Sequence, residues 1–277
     1  MSMLTITRLT FLEARQRRLL WAVALMGLAF LALFALGFFF VHREISRASG
    51  NDISDLFEAT DFFLLAGLYV VNFLMIMLAV LTSVDTIAGE IMSGTIHTVV
   101  SKPLRRWDVV LGKWLGLAGM LSVFTILMSL GMIAIVWLIA RYTPPNPVQG
   151  IALMVVEGLV LLTLSILGGA RLSTLTNGVV VFMLYGLAFI AGWIEQIGAM
   201  LHNETAVNIG IVISLLMPSE AMWKRAAYLM EPSFLRALGI HPFAAVSAPS
   251  NVMVAYTLLY VAIALTGAVY LFQKRDL

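Results

Sequence analysis

Few ionisable residues in this chain are placed to do chemistry, and two stand out. Glu157 and Glu195 each sit inside a long apolar run, where an ionised carboxylate is costly and must face the protein interior, a cavity or the headgroups. Glu157 is the deeper, a candidate for a polar path across a bilayer or for a contact between helices. Glu195 lies near the end of its run beside Gln196 and reads as facing the headgroups. Covalent and metal chemistry find no such footing. The chain has no cysteine, which removes disulfides, thiolate metal sites and cysteine nucleophiles together. His42, His97, His202 and His241 follow no ligand spacing. No Ser-His-Asp arrangement or pair of catalytic carboxylates is legible. Gly112-Lys113 does not end a phosphate-binding loop, because Trp114 follows it and Trp107 stands where the upstream glycine belongs. The chain reads as a non-enzyme without a cofactor or metal of its own.

The elements that must position these residues follow from composition. Of 277 residues, 61% are hydrophobic and 12% charged, with mean hydropathy +0.98, whereas a soluble domain carries about 25% charge. Six apolar runs, at about 19–41, 62–84, 114–139, 149–169, 178–201 and 251–272, are each long enough to cross about 30 Å of hydrocarbon as a helix. The prediction is an all-α membrane protein, one transmembrane domain over 1–277. A β-barrel would instead show short alternating segments. All eight prolines fall between the runs, as continuous membrane helices require. The first run is no cleavable signal, since it passes through Phe38, Phe39 and Phe40 into His42 and Arg43 without a small-residue cleavage site. With the N-terminus inside, eleven of the seventeen Lys and Arg fall on the cytoplasmic side, so both termini are expected there.

The segment after the second run is the most patterned. Thr86, Glu90, Ser93, His97 and Ser101 recur at helical steps and make one polar stripe. Ile87, Ile91, Met92, Ile96, Val99 and Val100 cover the remaining arc, which predicts a helix lying in the interface with its stripe toward the cytosol. Pro103 ends it, and Arg105, Arg106 and Lys113 follow as a basic anchor. Such a helix either joins two spans or receives force from a soluble partner, and the pattern suits both.

Residue types add a comparison. Glu90, Gly94, Thr95, Ser101, Pro103, Arg106, Gly112 and Lys113, with the ending Leu271-Phe272-Gln273-Lys274-Arg275-Asp276-Leu277, resemble the permease subunits of ABC-2 type ATP-binding-cassette transporters, with the permeases of multicopper-enzyme maturation as the nearest subgroup. The stretch Ile96 to Val100 departs from the leucine-rich run usual there. The resemblance implies an exporter subunit that forms a translocation path as a dimer, homomeric or heteromeric, in a bacterial inner membrane. It implies a separate cytosolic ATPase carrying ATP and magnesium. A coupling helix within 85–105 would receive that ATPase through Thr86, Glu90, Ser93, Gly94, Thr95, His97, Ser101, Pro103 and Arg106. It also implies an N-terminal interfacial helix within 1–18, although Leu4, Leu9, Phe11 and Leu12 form no single face.

The segment 202–250 is expected outside. Its apolar stretch Val207 to Met217 is too short to span and is closed by Pro218, so it reads as a re-entrant or interfacial helix followed by a short amphipathic one around Trp223, Lys224, Arg225 and Tyr228. Two rivals stay open: an ion-coupled secondary carrier using Glu157, and a membrane scaffold that tethers an ATPase without transporting. The basic residues beside the runs suit anionic headgroups and call for no nucleic acid.

Overall fold

A long apolar run in lipid can satisfy its backbone only internally, so it folds as a helix. The computed structural model describes residues 3–16, 18–48, 53–92, 105–233 and 249–275. Among the described residues there is no strand, and the helices are α1 (Met3–Gln16), α2 (Arg18–Ala48), α3 (Ile53–Met92), α4 (Arg106–Ala140), α5 (Pro147–Gly169), α6 (Thr174–Met200), α7 (Glu204–Leu216), α8 (Ser219–Met230) and α9 (Asn251–Gln273). Six carry stretches long and apolar enough to cross a membrane, Leu20–Arg47, Leu56–Gly89, Arg106–Ala140, Pro147–Gly169, Thr174–Met200 and Asn251–Gln273. The chain is an all-α integral membrane protein.

Two boundaries differ from expectation. α3 continues through Asp85 and Thr86 to Met92, so 85–92 ends the second span instead of opening a separate interfacial helix. Thr86, the first residue of the expected solvent stripe, bonds within the helix, donating to Thr82 O at 2.7 Å, as do Thr82 to Leu78 O at 2.6 Å and Ser83 to Ala79 O at 2.6 Å in the turn before it. All three side chains are buried, because a hydroxyl that bonds back to its own helix tolerates an apolar surrounding. α4 likewise begins early, at Arg106, with Asp108 in its first turn, where a carboxylate favours the positive end of the helix dipole.

α3 and α5 form the centre. In each, 67% of the most apolar window is buried, against 17–33% in the other four spans. Their neighbours turn large apolar side chains outward, among them Leu33, Leu127, Met183 and Ile263, as lipid-facing surfaces do. The core has two storeys. One joins Met75, Leu121, Leu161, Ala188 and Phe272 on the side where α1 and the end of α9 lie, hereafter the terminal side. The other joins Leu64, Met132, Met154 and Trp223 on the opposite side.

α1 docks on α4 through a small-residue seam. A Cβ added at Gly112 would lie 2.8 Å from Ile6 Cβ, and one at Gly116 2.8 Å from Thr10 Cβ and 2.9 Å from Thr7 O. Only glycine permits this approach, and it buries Ile6 and Thr10. Leu4, Leu9, Phe11 and Leu12 remain exposed on the rest of the helix. α1 therefore has one face on the bundle and another free for the membrane surface, which is why its apolar residues form no single stripe.

On the opposite side, the turn from α4 to α5 carries Arg141 and Asn146 at φ 55° and 49°, followed by Pro147 at the start of α5, where its missing N–H is no loss. Within this turn Tyr142 donates to Asp61 Oδ1 at 2.6 Å, and both residues are buried. Tyr142→Phe should lower stability by about 1–3 kcal/mol, since it strips a buried carboxyl of that donor. Thermal unfolding in detergent measures it, and an unchanged midpoint would mean that water reaches Asp61.

Candidate functional site

Two polar assemblies interrupt the apolar bundle. The first lies on the terminal side. Helix C-termini leave carbonyls without intrahelical donors, and two arginines supply them across the bundle. Arg106, at the start of α4, donates through Nη1 to Gln273 O at 3.0 Å and Arg275 O at 2.8 Å. Arg275 in turn donates to Ala170 O at 2.7 Å, at the end of α5. The ends of α4, α5 and α9 are thereby tied together. Lys113, buried on α4, reaches Thr86 O on α3 at 3.0 Å. Asn177 on α6 donates to Ser165 O on α5 at 2.8 Å.

Of the residues assigned to coupling by resemblance, Thr86 is turned to the core and Arg106 to the end of α9 and the residues just past it. The expected cytosolic exposure of Thr86 is corrected: its hydroxyl is used within α3 and its carbonyl by Lys113. Glu90 is placed by its backbone in the last turns of α3. Ser93, Gly94, Thr95, His97, Ser101 and Pro103 lie outside the described residues.

The second assembly surrounds Glu157. α7 and α8 meet at a bend of 112° and form a helical hairpin. α7 runs back along α6: a Cβ at Gly198 would sit 2.7 Å from Ala206 Cβ, and one at Gly210 3.0 Å from Ala191 O. The tip at Met217 and Pro218 is buried. α8 then climbs beside α5 until Asn146 Nδ2 donates to Leu229 O at 3.3 Å. Carbonyls freed where α7 ends are met by α9, with Tyr256 donating to Leu215 O at 2.5 Å and Tyr260 to Leu216 O at 3.1 Å. Gly192, where a Cβ would meet Glu220 Cγ at 2.6 Å, places Glu220 about 12 Å below the end of α6 at 1.5 Å per residue.

The hairpin delivers charge into the interior. Lys224 Nζ lies 2.7 Å from Glu195 Oε2, so Glu195 is paired and buried, in place of the expected headgroup-facing position. Glu220 stands one turn before Lys224 on the same helix, and all three are buried. A notch of about 20 Å³ among Tyr69, Trp193, Gln196 and Glu220 has room for roughly one water. Glu157, on the central helix α5, is 0% exposed. Neither of its carboxylate oxygens makes a hydrogen bond of ordinary geometry, although the Asn72 side chain approaches it. Beside Asn72, a cavity of about 280 Å³ opens between α3 and α6, walled by Tyr69, Phe73, Tyr185, Gly186 and Phe189.

Sequence reasoning singled out Glu157 and the hairpin. It missed Asn72, which looks unremarkable inside an apolar run, and the pairing of Lys224 with Glu195, which lie 29 residues apart. It quoted Arg275 in a terminal motif without a role, and the α9 carbonyls that Arg106 meets could not be inferred from spacing.

The architecture of six spans, a short helix at the start and a helical hairpin before the last span agrees with a membrane transport subunit. No curated protein matches the chain. A family model described as ABC-2 family transporter protein matches residues 4–277, nearly the whole length. The chain thus belongs to the ABC-2 transporter family, as a permease subunit of an ABC transporter.

Proposed function

We propose that this permease is an exporter subunit that works as a dimer in a bacterial inner membrane, with both termini cytoplasmic. A separate ATPase chain, holding ATP and magnesium, would dock on the last turn of α3 and the segment between α3 and α4. Glu90, Ser93, Gly94, Thr95, His97, Ser101 and Pro103 form the contact in this reading, with Arg106 holding the adjoining helix end in place. The observation that carries it is the continuity of α3, which runs unbroken from Ile53 to Met92. That helix joins the docking segment to the cavity wall at Tyr69, Asn72 and Phe73. At 1.5 Å per residue, Met92 and Asn72 are about 30 Å apart on one rigid rod, so a push at one end shifts the other. Glu157, in contact with this wall, would face the translocation path.

Purifying the tagged chain from its native membrane should bring down a stoichiometric Walker-type ATPase. Glu90→Ala should then lower transport-coupled hydrolysis several-fold while leaving the assembled complex intact. A solitary chain, with proton-dependent uptake by the chain alone, would overturn this reading in favour of an ion-coupled carrier. Normal assembly together with normal coupled hydrolysis in Glu90→Ala would remove Glu90 from the contact.

A further inference from the structure

The cavity between α3 and α6 carries a chemical signature beyond its shape. Its walls are aromatic: Tyr69 and Phe73 from α3, Tyr185 and Phe189 from α6. Its polar lining includes Asn72, 2% exposed, whose Oδ1 finds no hydrogen-bond donor. Behind Asn72 on α5 stands Glu157, fully buried, with neither carboxylate oxygen in a hydrogen bond of ordinary geometry although the Asn72 side chain approaches it. The unmatched atom of Asn72 is an amide oxygen, an acceptor, so a ligand that completes it must donate. Glu220, another acid, acts on Glu157, while Lys224 is held by Glu195 at 2.7 Å. A carboxylate so placed favours an arriving cation, and aromatic faces favour one too. The volume is that of a small organic molecule.

We infer that this cavity binds hydrophobic amines. The apolar body of the ligand lies against Phe73, Tyr185 and Phe189. Its protonated nitrogen donates to Asn72 Oδ1, and Glu157 supplies the opposing charge from behind. The inference rests on the reading of Glu157 as part of the translocation path, and it narrows the cargo to cationic amphiphiles while excluding carboxylates and phosphates.

The test uses the full chain in nanodiscs of phosphatidylcholine, which avoids capture of amines by anionic lipid. Three probes share one skeleton: tritiated 4-phenylbutylamine, 4-phenylbutanol and 4-phenylbutyrate. The amine should bind about tenfold or more tighter than the alcohol, the difference a charge-assisted hydrogen bond makes, and the carboxylate weaker than either. Glu157→Gln should bring the amine to the alcohol's affinity. Gly186→Leu fills the cavity from a position where an added Cβ meets nothing within 4 Å, so the helix keeps its packing and binding of every probe should fall. Equal binding of amine and carboxylate, or wild-type affinity in Gly186→Leu, overturns the inference. If Glu157→Gln fails to fold, Gly186→Leu and the three probes decide alone. Because binding is read without an ATPase, failure to co-purify one overturns the exporter reading and leaves this result standing.

Discussion

Lys224→Met should destabilise the purified chain by about 3–5 kcal/mol, because it leaves a buried carboxylate without its countercharge. Lys224 and Glu195 are both buried, and their 2.7 Å contact fastens the α7–α8 hairpin to α6. Removing the ammonium also abandons Glu220, on which it acts, so Glu195 and Glu220 would stand near Glu157 without it. The double variant Glu195→Leu with Lys224→Met should recover much of the loss, since an apolar pair of similar volume can replace a buried ion pair at little cost. Thermal unfolding of the three proteins in one detergent gives the ordering: the single variant lowest, the double variant intermediate. A Lys224→Met midpoint equal to the wild type would mean that water solvates the pair and that the hairpin is held by packing alone.

The second large effect concerns α1. Valine at both Gly112 and Gly116 would drive side chains into Ile6, Thr10 and the carbonyl of Thr7, at distances where backbone must move. Overpacking of this kind costs about 1–3 kcal/mol at one site, and the two sites share one partner helix, so the helix lifts as a unit. The chain has no cysteine, which makes an introduced thiol a clean reporter. Thr10→Cys, at a buried position, should react slowly with maleimide in the native background and about tenfold faster or more with both valines present. Equal rates would show that α1 does not rely on this seam.

The spans were legible because unbroken apolarity over a membrane's thickness admits one backbone solution. The hairpin was legible because Val207 to Met217 is too short to cross and Pro218 stops it. What escaped the sequence shares a cause. Hydropathy reads a polar residue as facing water, yet Thr82, Ser83 and Thr86 satisfy their hydroxyls on their own helix and continue α3 into the core. Lys224 was read as part of the polar face of a short amphipathic helix, whereas its partner, Glu195, comes from a helix distant in sequence. Arg106 was grouped with residues that would meet a soluble protein, and its Nη1 also meets the carbonyls of Gln273 and Arg275 at the far end of the chain. Periodicity places a residue on a face of its own helix, and it is silent on which neighbour that face will meet.

The arginine ties on the terminal side bear on how the molecule is made. Arg106 and Arg275 are separated by 169 positions, and Arg275 reaches back 105 to Ala170. During synthesis α4 and α5 enter the bilayer long before α9 emerges, so their ends must wait unfastened through the insertion of every later span. Closure of that face is therefore a late event of biogenesis, timed by the arrival of the final helix. A chain interrupted before it would reach the membrane with its spans inserted and its terminal face still open.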